Sequence, residues 1–236
     1  MDLKQAILEH ALELPREEVC GLVVSWGKNK FKIIRALNLA DDKQHTFDLD
    51  PRAWLQVKDG EEVIGIYHSH PNGPPTPSMA DLSACEASGL PWHIVSPGTG
   101  EYHTFEPSGY EAPLLGRPYV HGVHDCYSVI RDWYAREMGL KLDDFDRENF
   151  WWEESGVNLY VDNFEGQGFV QLIGEAPRRG DAFLIQVGSS KPNHAAVCLG
   201  DGTILHHVAG RLSCIEPWDG FYSQFCTHHL RHQSML

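Results

Sequence analysis

The sequence lacks the features that define several classes of protein. Its six cysteines form no C-x-x-C pair, so neither a disulfide framework nor a thiolate zinc site is indicated. No run of about 18 apolar residues, the length that crosses a bilayer as a helix, occurs in the chain. Lys4, Glu9 and Glu13 interrupt the apolar residues near the N-terminus. We therefore expect an amphipathic helix there rather than a secretion signal, and no membrane insertion.

Basic residues are also scarce. The chain has 19 Lys and Arg against 33 Asp and Glu, which gives a net charge of −14. A nucleic-acid interface needs clustered cations for phosphate contacts, so we expect no nucleic-acid partner. Hydrophobic residues make up 42% of the 236 positions and charged residues 22%, which is typical of a folded protein with one large domain or two of about 110 to 120 residues.

The stretch YHSHPNGPPTPSMADL concentrates groups that bind metal ions. His68 and His70 are two residues apart, so on a strand both imidazoles leave the same face. Ser78 is suited to capping a helix whose first turn carries Asp81. Two His and one carboxylate, with a fourth position left for water, are typical of a catalytic zinc site. The sequence therefore predicts one bound Zn²⁺.

This spacing, His-x-His followed by Ser and Asp, resembles the JAMM motif of JAB/MPN-type metalloproteases. That family also needs a Glu on an earlier strand, and EEVCGLVV offers Glu18, with Glu17 as the less favoured neighbour. The resemblance implies that His68, His70 and Asp81 hold zinc. It also implies that Ser78 supports the reacting centre and that Glu18 takes a proton from the attacking water.

The rest of the first half alternates helices and strands, which indicates an α+β fold around a mixed sheet with flanking helices. The predicted elements are helix 2–14, strands 19–25 and 30–38, a candidate strand 46–49, a candidate short helix 51–58, helix 78–88, and strands 92–97 and 101–107. EPSGYEAPLLGRP is rich in Pro and Gly without an apolar period, so we place the domain boundary near 107–116. The predicted domains are 1–110 and 113–236.

The second half begins with a segment of helical periodicity from Cys126 onward, preceded by Asp125 at the N-cap position. A cysteine at a helix N-terminus lies where the helix dipole favours a thiolate. Further along, two predicted strands joined by a turn carry His194 on the first and His206 and His207 on the second.

Order and spacing here resemble the NlpC/P60 family of papain-like cysteine peptidases, with HDCYS where DCSG is common. The resemblance implies a helix packed on an antiparallel sheet. It assigns Cys126 as nucleophile, His194 as general base, His206 as the residue that orients His194, and Tyr119 to the neighbourhood of the oxyanion.

The choice between His206 and His207 depends on the turn. If Asp201 and Gly202 form a two-residue turn, His207 lies opposite Ala196 on the side of His194. A three-residue loop from Gly200 to Gly202 brings His206 there instead. The family spacing favours His206, and His207 stays the alternative.

Both resemblances together cover nearly the whole chain, and the pairing resembles the tail assembly protein K family of lambdoid siphophages. This implies assembly of the tail tip in the host cytoplasm with other tail tip proteins, with retention in the virion tail tip left open. It implies a peptidase acting on a tail or virion protein or on peptidoglycan peptides. The alternatives are a murein endopeptidase without an assembly role and a non-catalytic assembly scaffold.

Overall fold

A computed structural model describes residues 2–236, and the chain divides into two compact units, Met1–Glu111 and Ala112–Leu236. Each unit holds one sheet, five-stranded in the first and six-stranded in the second. Helices accompany both sheets, so the predicted α+β class is confirmed. Within residues 2–236 no helix combines the length and apolarity that crossing a membrane requires.

The first unit has a mixed sheet. Its elements are α1 (Leu3–Glu13), β1 (Cys20–Gly27), β2 (Lys30–Ala36), β3 (Glu62–Ser69), α2 (Met79–Ser88), β4 (Trp92–Val95) and β5 (Tyr102–Phe105). The strand order is β2-β1-β3-β4-β5. Only the β3–β4 pair is parallel, and α2 lies in the connection between these two strands. A parallel crossover of this kind brings the start of its helix close to the end of the first strand.

Two sequence predictions in the first unit need correction. Residues 46–49 do not form a strand, since the pairing here is an isolated bridge between Asn38 and Leu49. The Asn38 side-chain oxygen accepts hydrogen bonds from the backbone N–H groups of Ala40 and Asp48. These bonds to a side chain stand in place of the backbone hydrogen bonds that would pair two strands. The segment 51–58 contains a shorter 3-10 helix, Pro51–Gln56.

The second unit has an antiparallel sheet in the order β10-β9-β8-β7-β11-β6. Its elements are α3 (Cys126–Trp133), α4 (Leu159–Asn163), β6 (Phe169–Leu172), β7 (Ala182–Ile185), β8 (His194–Cys198), β9 (Thr203–His206), β10 (Cys214–Pro217), α5 (Phe221–Gln224) and β11 (Cys226–His232). Helix α3 packs against β8 and β9 and continues as a π-helical segment, Tyr134–Met138. The predicted helix on an antiparallel sheet is present.

The β8–β9 hairpin decides which histidine lies beside His194. Ala196 pairs with His206, which is the register that the three-residue loop predicts. Gly200 and Gly202 both have positive φ, at 89° and 84°, a conformation that glycine adopts without strain. The register therefore brings His206, and not His207, opposite Ala196.

Candidate active sites

The first cluster lies where β3 ends and α2 begins. His68 Nε2 is 3.0 Å from His70 Nε2. Asp81 Oδ1 is 3.3 Å from His68 Nε2, and Asp81 Oδ2 is 3.6 Å from His70 Nε2. One ligand atom from each residue lies within 4.8 Å of the other two. The structure thus brings the three predicted metal ligands together.

The hydrogen bonds and packing of both imidazoles fit metal binding. His70 Nδ1 lies 3.0 Å from the carbonyl oxygen of Pro74, and a carbonyl only accepts, so Nδ1 carries the proton and Nε2 keeps its lone pair. Phe47 stacks on the His68 ring with centroids 4.6 Å apart. Burial lowers the pKa of His68, which favours the neutral form that binds metals. The donor set of two imidazoles and one carboxylate is that of catalytic zinc centres.

Ser78 positions Asp81 through a capping box at the start of α2. The Ser78 hydroxyl accepts from Asp81 N–H at 3.1 Å, and Ser78 N–H donates to Asp81 Oδ2 at 2.7 Å. This reciprocal pair fixes the carboxylate at the helix N-terminus. The contacts of Ser78 therefore support a positioning role toward Asp81.

Glu18 lies two residues before Cys20, which pairs with His68 across β1 and β3. Its side chain is buried, and its electrostatic neighbours include His70 and Asp81. Burial raises the pKa of Glu18 to about 8, and His70 opposes this shift. A carboxyl group whose pKa lies near neutrality is suited to moving protons.

The second cluster is built around Cys126, the first residue of α3. Asp125 caps the helix by accepting from Ser128 N–H at 2.9 Å. Cys126 Sγ lies 3.2 Å from the Tyr160 hydroxyl oxygen and accepts a hydrogen bond from the Ala195 backbone N–H. Ala195 follows His194, the first residue of β8, so this bond ties the sulfur to the backbone of the strand that carries the predicted base.

Burial outweighs the helix dipole at this cysteine. It raises the pKa of Cys126 to about 11, Asp125 adds to the shift, and the hydrogen bonds from Tyr160 and Ala195 oppose it. This shift runs against the expectation of a thiolate favoured by the helix N-terminus, because Cys126 is only 6% exposed and an ion is costly to bury. The thiol needs a proton acceptor.

A chain of hydrogen bonds begins at the acceptor that the sequence predicts. His194 Nε2 lies 3.1 Å from His206 Nδ1, and His206 Nε2 lies 3.1 Å from Glu216 Oε2. Burial lowers the pKa of His194 to about 3, with His206 and His207 adding to the effect. His194 is therefore a neutral imidazole, as a general base must be before it takes a proton.

Tyr119 is close to this cluster but is not the tyrosine that contacts the sulfur. Its hydroxyl lies 3.2 Å from His121 Nδ1, and its ring meets His207 edge-on at 5.2 Å. Tyr160 holds the position against Cys126 instead. No sequence signal indicated Tyr160, which lies 34 residues from the cysteine in a segment without a recognisable motif.

Two further residues of this cluster were not predicted from the sequence. Arg147 binds Asp125, and Glu216 binds His206. His206, Cys214 and Glu216 also bring ligand atoms within 4.8 Å of one another. Arg211 donates to Glu216, and its positive charge opposes a second cation, so we assign no metal to this group.

Comparison with known proteins gives each half a family. Residues 1–107 match the model for prokaryotic homologs of the JAB domain, and residues 116–231 match the NlpC/P60 family. The protein is thus of the class that joins a JAB domain to an NlpC/P60 domain.

Most of the chain is similar to phage proteins. It is 36% identical over 221 residues to "Tail tip assembly protein K" of Escherichia phage N15, covering 93% of this chain and 89% of that protein. The protein of the same name from Escherichia phage lambda is 42% identical over 187 residues, covering 79% of this chain and 90% of that one. The chain belongs to the tail tip assembly protein K family.

Part of the chain is also similar to a cellular protein. A "Desampylase" of Haloferax volcanii is 30% identical over 109 residues, covering 41% of this chain and 77% of that protein.

Proposed function

We propose that this tail tip assembly protein hydrolyses peptide-type bonds at two sites, one in each of the domains 1–110 and 113–236. The observation that carries the proposal is the convergence of His68, His70 and Asp81, whose ligand atoms lie within 4.8 Å of one another. A scaffold that only bound partners would not need two imidazoles and a carboxylate turned toward one point. The JAB and NlpC/P60 matches support the same class of chemistry.

At the first site His68, His70 and Asp81 would hold Zn²⁺. When bound, the metal polarises water and lowers its pKa to about 7. Glu18 accepts the proton of the attacking water and passes it to the leaving amine. Ser78 keeps Asp81 in place through the capping box.

At the second site Cys126 is the nucleophile. His194 takes the thiol proton as the sulfur bonds to the carbonyl carbon. The C–N bond then breaks, His194 returns the proton to the amine, and water hydrolyses the thioester. His206 orients His194, while the Tyr160 hydroxyl, 3.2 Å from Cys126 Sγ, and the more distant Tyr119 stabilise negative charge on oxygen.

The substrate class and the place of action are part of the same proposal. We propose that the protein acts in the host cytoplasm during virion assembly, together with other tail tip proteins, on a tail or virion protein or on peptidoglycan peptides. The names of the phage relatives support the assembly role.

Complementation of a phage that lacks this gene product tests which site assembly requires. Glu18→Ala and Cys126→Ala should each be tested, with Glu17→Ala and Cys198→Ala as matched controls. We expect loss of tails, seen by negative-stain microscopy, for at least one active-site variant and for neither control. Normal tails from both active-site variants would refute a catalytic role in assembly, and digestion of murein by the purified protein would then favour the cell-wall endopeptidase.

Alkylation tests the second site directly. Cys126 should react with iodoacetamide faster than the other five cysteines near neutral pH, and His194→Ala should slow it. Peptide mass spectrometry resolves all six residues. Equal reactivity across the six would contradict a nucleophilic role for Cys126.

A further inference from the structure

We infer that Glu216 is a positioning residue of the cysteine site, and that it selects the histidine tautomer on which proton transfer from Cys126 depends. This inference rests on the proposed roles of Cys126 and His194. It extends the hydrogen-bonded pair of His194 and His206 by one member, to a carboxylate.

The register of β9 and β10 brings Glu216 to His206. Cys214 pairs with His206, and Glu216 lies two residues further along β10, so both side chains leave the face on which His206 lies. Glu216 Oε2 is 3.1 Å from His206 Nε2. The His206 side chain is fully buried, while that of Glu216 is 26% exposed.

The chemistry of the two partners of His206 fixes where its proton lies. An ionised carboxylate only accepts hydrogen bonds, so His206 carries its proton on Nε2 and has a lone pair on Nδ1. That lone pair must accept from His194 Nε2, 3.1 Å away. A neutral His194 therefore has its proton on Nε2, and its Nδ1 is left unprotonated to receive the thiol proton.

Without a carboxylate beside His206, the direction of the hydrogen bond between His194 and His206 can reverse. His206 could then carry its proton on Nδ1 and donate to His194, which would need its lone pair on Nε2. The proton of His194 would lie on Nδ1, and that nitrogen could no longer act as a base. An aspartate in the third position has no such alternative, because a carboxylate only accepts, so the need for a tautomer selector arises because the third member is a histidine.

Other groups around His206 keep Glu216 ionised and in place. Arg211 and the Tyr222 hydroxyl donate hydrogen bonds to its carboxylate. Burial would raise the pKa of Glu216, but Arg211 and His206 more than offset that effect and hold it below its ordinary value. The Tyr222 ring packs edge-on against His206, with centroids 4.6 Å apart. The titratable and charged groups that face His206 are His194, His207, Arg211, Cys214, Glu216 and Tyr222.

Glu216→Gln is the sharpest test because it preserves shape. The Arg211 guanidinium has only donors, so the amide oxygen of the new side chain must face Arg211 and its NH₂ group must face His206. His206 Nε2 would then have to accept, and the tautomer should invert. Adding Arg211→Ala removes that constraint, allows the amide to rotate, and should restore the original tautomer.

Long-range ¹H–¹⁵N NMR of the full-length protein labelled on histidine distinguishes the two tautomers without any need for activity. His206→Asn identifies the signals, Glu165→Gln at an exposed position of the same unit serves as control, and EDTA is present throughout. We expect an Nε2–H tautomer at His206 in the unmodified protein and in Glu165→Gln, and an Nδ1–H tautomer in Glu216→Gln. An Nδ1–H tautomer in the unmodified protein, or no inversion in Glu216→Gln, would overturn the inference.

The rate of Cys126 alkylation as a function of pH supplies the functional readout. We expect Glu216→Gln to slow alkylation near neutral pH by about tenfold, the effect of one pKa unit on proton transfer, while Glu165→Gln leaves the rate at Cys126 unchanged. An unreactive Cys126 in the unmodified protein, found together with the expected tautomers, would refute the proposed peptidase function and leave the assignment of Glu216 intact.

Discussion

Replacing Arg147 with methionine should destabilise the second unit more than most single substitutions would. Arg147 Nε donates to Asp125 Oδ2 at 2.7 Å, and the side chains are 1% and 2% exposed. The guanidinium also donates to the Gly122 carbonyl oxygen at 2.8 Å. Asp125 in turn caps the helix that begins with Cys126. Methionine fills a similar volume and removes the positive charge, so the Asp125 carboxylate stays buried without its counter-ion.

The size of the effect follows from the burial of both partners. Breaking a buried ion pair by removing one member costs about 3–5 kcal/mol, because the remaining charge is desolvated without compensation. An exposed pair is worth about 1 kcal/mol or less. Arg179 and Glu137 form such a pair at 2.6 Å, with side chains 52% and 42% exposed. Arg179→Met in the same unit is therefore the matched control.

The pH dependence gives the prediction a sign. Burial alone would raise the pKa of Asp125, but Arg147 and the helix N-terminus more than offset this and hold it below its usual value. A carboxyl group of depressed pKa stabilises the fold above its unfolded-state pKa, and that stabilisation is lost as the pH falls through the folded-state pKa. In Arg147→Met the pKa of Asp125 should rise instead. The deficit should therefore be largest near neutral pH and shrink on acidification, as protonation removes the unpaired charge.

Pulsed thiol labelling in urea measures the two units separately. Cys198 is 2% exposed in the second unit, and Cys85 is 1% exposed in the first. We expect Arg147→Met to lower the free energy of unfolding reported by Cys198 by about 3–5 kcal/mol, with the transition at Cys85 unchanged. A loss under about 1 kcal/mol, equal to that of Arg179→Met, or a deficit that grows toward low pH, would refute the reasoning.

Three further predictions concern the first unit. Gly21→Ala should cost about 1–3 kcal/mol of stability in urea unfolding, because a Cβ there would lie 2.2 Å from the Ile34 carbonyl oxygen. Burial lowers the pKa of His10 from 6.5 to about 4, so the stability tied to its neutral form should be lost as the pH falls from 6.5 toward 4, and His10→Gln should flatten that slope in pH-dependent melting. Asp81→Asn should reduce the zinc that copurifies with the protein, measured by elemental analysis, whereas the exposed Asp59→Asn should not.

The sequence could predict the first cluster because its parts are local. His68, His70, Ser78 and Asp81 are joined by one strand, one loop and one helix start, and each of those elements has its own signal in the residues. Glu18 was predicted from the motif of the JAB/MPN family. Its position beside His70 depends on the pairing of β1 with β3, and strand pairing is a long-range property that periodicity alone does not specify.

In the second cluster, only the residues that belong to a sequence motif could be predicted. Helix capping placed Cys126 at the start of a helix, and the family pattern assigned the roles of Cys126 and His194. Turn geometry gave two possible registers for the hairpin, and the family spacing chose between them. Tyr160, Arg147 and Glu216 could not, since each reaches the cluster through tertiary packing from a segment that has no signature of its own. The prediction of a strand over 46–49 was wrong for a related reason. The Asn38 side chain accepts the backbone hydrogen bond from Asp48 that a neighbouring strand would otherwise accept.

The two clusters share a physical requirement that neither motif expresses. Each uses an imidazole, and in each the nitrogen that faces the site is decided by the partner of the other nitrogen. At the first site the Pro74 carbonyl accepts from His70 Nδ1 and leaves Nε2 to face His68 and Asp81. At the second site Glu216 accepts from His206 Nε2 and leaves Nδ1 to face His194. A backbone carbonyl cannot be removed by substitution and a carboxylate can, so the tautomer of the cysteine site is the one that a single side-chain replacement can reverse.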